Sequence, residues 1–136
     1  MVHRYVVKLA AGLEVVVGIF FLTAPDIPCR LLFAATPEGL GIVLGRFAGA
    51  ALVALAITCL ISGAPEPCRS AALGLLVFNV SATIFFAWVA VATAFRGFLL
   101  WPVVVLHAII AAALLTHFLT GSSLASQAPG SSRTHL

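Results

Sequence analysis

The chain has 136 residues, 62% hydrophobic and 8% charged, with a net charge of +3. A mean hydropathy of +1.21 leaves too little polar surface to cover a soluble domain of this size. The seven scattered Lys and Arg residues form no basic patch for a nucleic acid. Lipid is the expected solvent, and the length suits one domain.

A membrane-crossing helix needs about 20 mostly apolar residues, and four segments qualify. The first spans roughly Tyr5 to Thr23 and carries Lys8 near its start and Glu14 at its middle. Ala24-Pro25-Asp26-Ile27-Pro28 should stop it, because proline disfavours helix at the residue before it. Cys29 to Ala35 is apolar apart from Arg30 and reads as a short piece lying in the interface. Thr36-Pro37-Glu38-Gly39 should start the second long helix, with Thr36 as cap and Pro37 in the first turn. That helix runs from about residue 41 to 61 and contains Arg46. Ser62 to Pro67 reads as a tight loop. The third helix, about 71–95, carries no charge, and Phe95-Arg96-Gly97-Phe98 forms the next loop. Trp101-Pro102 opens the fourth, about 101–119, whose ionisable residues are His107 and His117. The expected fold is therefore all-α, an integral membrane four-helix bundle over residues 1–120. Residues 121–136, rich in Ser and Gly, read as a disordered cytoplasmic tail. The segments lack the alternation of barrel strands, and helices satisfy every backbone group in lipid.

Basic residues set the orientation. With the N-terminus inside, Arg4, Lys8, Arg69 and Arg133 fall in the cytoplasm and Arg30 and Arg96 outside, four against two. Both termini are expected to be cytoplasmic, in a multi-pass protein of a bacterial plasma membrane (the inner membrane). The first segment is expected to stay attached: Glu14 breaks its apolar run and Pro25 sits where a signal peptide would be cut. Cys29, Cys59 and Cys68 form no Cys-x-x-Cys pair and read as unpaired thiols, Cys29 lying across the membrane from the other two.

Polar residues inside a span usually face the bundle interior and find partners there. Each expected helix carries one: Glu14, Arg46, Asn79 and His107. Arg46 is long enough to reach down toward Glu14, which would neutralise both. Gly41, Gly45 and Gly49 make a tandem Gly-x-x-x-Gly row for close helix packing. His107 and His117 lie about 15 Å apart along one helix, too far to hold one haem iron. No cofactor or metal is expected, since no phosphate loop, nucleophile elbow or metal cluster occurs.

The string Gly41 to Ala51 (GIVLGRFAGAA), with Phe78-Asn79 and Trp101-Pro102-Val103-Val104-Val105-Leu106-His107, resembles a loose group of small four-helix bacterial membrane proteins without assigned function. The compact form is also similar to the DoxX-like proteins in architecture. The resemblance implies a plasma-membrane four-helix protein, draws attention to Arg46, Asn79 and His107, and supplies no reaction. The residues themselves suggest an accessory subunit or a binder of a lipid-soluble ligand, with Glu14, Arg46, Asn79 and His107 as its polar cluster. The alternative is a small membrane-embedded enzyme, isomerase-like, with Glu14 and His107 as acid and base. The expected partners are membrane lipid, a lipid-soluble small molecule and a homo-oligomer or larger membrane complex; nucleic acid is not among them.

Overall fold

The computed structural model describes residues 2–61 and 69–126, and these form five helices in chain order. They are α1 (Val2–Thr23), α2 (Asp26–Phe33), α3 (Leu40–Ile61), α4 (Arg69–Ala92) and α5 (Leu100–Ser126). The expected loop at 62–67, Cys68 and residues 127–136 of the expected tail lie outside the described residues, as do the side chains of His3, Arg4, Arg69 and His117. Three stretches are long and apolar enough to cross a membrane: Tyr5–Thr23, Leu40–Ile61 and Ser70–Ala92. The apolar part of α5, Leu100–Thr116, is shorter. This is the composition of a multi-pass membrane protein.

Local chemistry sets the boundaries. α1 ends two residues before Pro25, as proline requires. Pro28 does not act as a stop. It sits third in α2, inside the first turn, where its missing N–H has no helical acceptor to lose. Ala34 ends α2 in the left-handed conformation, at φ 54°, with its N–H donating to the Arg30 carbonyl at 3.0 Å. Thr36 to Glu38 form an irregular link rather than the first turn of the next helix. Gly39, at φ 49°, makes the left-handed step after which α3 begins. α4 stops at Ala92, three residues before its expected end. Thr93 folds its hydroxyl onto the Val89 carbonyl, and the Arg96 guanidinium donates to the Thr93 and Phe95 carbonyls at 2.6 and 2.9 Å. α5 continues to Ser126, so the first six residues of the expected tail are helical.

The long helices pair tightly as α1 with α3 and α4 with α5, and the two pairs touch more sparsely. Apolar side chains gain little by leaving lipid for protein, so close approach and van der Waals contact must hold such helices together. The α1–α3 pair meets this through Gly18 and Gly49. A Cβ on Gly49 would lie 2.6 Å from the Gly18 carbonyl oxygen and 2.6 Å from the Leu22 nitrogen. All four long helices meet in a core of Val7, Ala11, Ala56, Cys59, Leu75 and Leu114. A second cluster, Val89, Ala90 and Leu100, packs against Phe33 of α2. There the Leu99 N–H donates to the Leu31 carbonyl at 2.9 Å, and Gly97 lies flush against the Leu32 backbone. α2 is thereby clamped to the α4–α5 connection.

Candidate functional site

The four polar residues expected to gather divide into three settings. Glu14 is buried, at 4% exposure, on the α1 face that carries Val7, Ala10 and Ala11. It has no hydrogen bond or ion pair among the described residues; Cys59 lies within its electrostatic reach. Arg46 is exposed. The expected Arg46–Glu14 pair does not form, for reasons of register. Gly18 faces Gly49 in the antiparallel α1–α3 pair, so Arg46 is level with about residue 21 of α1, some seven residues or ~10 Å from Glu14. Among the described residues one ion pair forms, Arg30 to Asp26 at 3.9 Å, on the exposed surface of α2.

Asn79 and His107 occupy the α4–α5 interface. Asn79 is fully buried, and its Nδ2 donates to the Leu75 carbonyl at 2.8 Å, one turn back on its own helix. Its Oδ1 is buried with no hydrogen-bond partner among the described residues. The His107 ring lies 5.9 Å from each of Phe78 and Phe86, centroid to centroid, and its Nδ1 is likewise buried with no hydrogen-bond partner among the described residues. Phe78 and Phe86 stand one turn either side of Ala82, so His107 is level with Ala82 along α4.

Phe78, Ala82 and Phe86 also border a cleft. α3 and α4 touch at one end, where the Cys59 Sγ approaches the Ala71 carbonyl at 3.5 Å. Farther along they part, because Ala48 and Ala51 are too small to fill the space facing the α4 phenylalanines. The gap is a cavity of about 480 Å³ between α1, α3 and α4, walled chiefly by Phe21, Leu52, Phe78, Ala82, Phe85 and Phe86. That volume is within the usual range for small-molecule sites. Ser81 contributes the one polar side chain in the lining.

None of Glu14, Arg46, Asn79 and His107 lines this cleft. Asn79 is buried on α4 outside the lining, and His107 touches the lining rings of Phe78 and Phe86 without entering the cleft. Arg46 lies about 160° around α3 from Ala48, on a different face. The lining residues were hard to see in the sequence. Phe78, Ala82, Phe85 and Phe86 follow a helical spacing that reads as ordinary packing, and Ser81 is a single hydroxyl in an apolar run. Among the described residues no group of three or more His, Cys, Asp or Glu side chains is placed to hold a metal ion.

The chain matches no family model, no curated protein and no solved structure.

Proposed function

We propose that this is a four-span protein of a bacterial plasma membrane, with both termini cytoplasmic, that binds a lipid-soluble small molecule between its two helix pairs. α5 is taken as the fourth crossing helix, since it lies antiparallel to α4 along the same core. The observation that carries the binding role is the cleft of about 480 Å³ walled by four phenylalanines from α1 and α4. A ligand there would be contacted by apolar side chains on three helices, and by aromatic rings that favour a flat or branched apolar molecule. The acid/base reading receives less support, because neither Glu14 nor His107 reaches the cleft.

The test is mass spectrometry of small molecules that co-purify with the protein, compared with the Ala51→Phe variant. Ala51 lines the cleft, and a benzyl side chain there would take up part of it and narrow what remains. A defined lipid-soluble species retained by the native chain and missing from the variant supports the reading. Identical profiles, or bulk phospholipid alone in both, would sink it.

A further inference from the structure

Ser81 behaves differently from the other hydroxyls on these helices. Thr23, Thr58, Thr83, Thr93 and Thr116 each donate to a carbonyl three or four residues back, at 2.6 to 2.9 Å. This is the ordinary way to satisfy a hydroxyl where water is absent. Ser81 makes no hydrogen bond among the described residues, and it lines the cleft. Its depth narrows what can reach it. Ser81 stands eleven residues from each end of the Ser70–Ala92 span, so it lies ~16 Å from either end. In a hydrocarbon core about 30 Å thick, that is the midplane.

A phospholipid cannot place an oxygen there, since its esters and head group lie at the interface. Water is scarce at that depth. Ser81 is exposed on the cleft side, and a ligand that meets its hydroxyl there would carry an uncharged oxygen into the middle of the hydrocarbon. The surrounding rings of Phe21, Phe78, Phe85 and Phe86 suit a flat head group, stacked or met edge-on. Resting on the cleft reading above, the geometry points to a ligand of the isoprenoid-quinone class: a neutral ring bearing carbonyl oxygens on a long apolar tail, with the Ser81 hydroxyl donating to one carbonyl. Asn79 Oδ1 and His107 Nδ1 are not the contact, since both atoms are buried and neither residue lines the cleft.

Trp88 supplies the reporter, with its ring 6.4 Å from that of Phe85. Trp101→Phe leaves Trp88 as the single tryptophan of the chain. In detergent, decylubiquinone should quench Trp88 saturably, and Ala51→Phe should abolish the saturable part. Ser81→Ala should weaken decylubiquinone about fivefold, the worth of one hydrogen bond. Decylbenzene, which has a ring and tail but no oxygen, should compete equally well in the native chain and in Ser81→Ala. Equal decylubiquinone affinity in the native chain and Ser81→Ala overturns the head-group assignment and leaves the cleft standing. Quenching that never saturates and ignores Ala51→Phe overturns the cleft, and the assignment with it.

Discussion

Gly18 and Gly49 hold α1 and α3 together backbone to backbone, with no room for a side chain on either. A Cβ on Gly18 would lie 2.9 Å from the Gly49 carbonyl oxygen, and one on Gly49 would lie 2.6 Å from that of Gly18. Backbone cannot rotate aside as a side chain can. Gly49→Ala should therefore push the helices apart and cost about 1–3 kcal/mol. The matched control is Gly12→Ala, whose added methyl meets nothing within 4 Å. It should be neutral or slightly stabilising through helix propensity. Thermal unfolding in one detergent compares the two; equal melting temperatures would refute the close-approach account.

The absence of an Arg46–Glu14 pair has a measurable consequence. Glu14 is buried with no polar partner among the described residues, and Arg46 is exposed. Glu14→Gln should not destabilise the protein, because no counter-charge is stranded. A double-mutant cycle of Glu14→Gln with Arg46→Gln should give a coupling below about 0.5 kcal/mol, as for independent sites. A coupling above 1 kcal/mol would restore the pair.

Gly97 lies against the Leu32 backbone where α2 meets the α4–α5 connection. Gly97→Ala should unseat α2 from that connection by breaking the Leu99 to Leu31 hydrogen bond. The check is thiol labelling at Cys29 on α2, which is half-buried in the native chain and should label faster in the variant. Labelling at the native rate would show that α2 is held by other means.

Ala34 bears the left-handed conformation that ends α2, at φ 54° and ψ 30°. An alanine there is strained by contact between Cβ and the backbone, and glycine is not. Ala34→Gly should raise stability by up to ~1 kcal/mol, less than the full strain because glycine is freer when unfolded. A lowered melting temperature would contradict it.

Burial pushes the Cys29 thiol above its usual range, and Asp26 adds to the effect. A raised value means less thiolate at neutral pH, and the thiolate is the reactive form. Maleimide should therefore modify Cys29 more slowly than an unhindered thiol at pH 7, with the rate still climbing past pH 9. Asp26→Asn should speed the reaction by removing the negative charge. If Asp26→Asn leaves the pH profile unmoved, the charge has no influence there.

Much of the helical layout could be read from the amino-acid order. Long apolar runs in Tyr5–Thr23, Leu40–Ile61 and Ser70–Ala92 demand helices in lipid, and Pro25 and Gly39 mark where the chain turns. The polar residues within those runs were equally visible, because any charge or amide stands out against leucine and alanine. Their grouping was not. Whether Arg46 meets Glu14 depends on how two antiparallel helices slide and rotate against each other, and Gly18 against Gly49 decides that. The cleft depends on the spacing between α3 and α4, where small alanines face large rings, and no local pattern encodes such a gap. Residue order determined which segments are helical and which side chains are costly in lipid, because those are properties of single helices. Packing between helices alone decided which of those side chains meet, and left Ser81 facing open space.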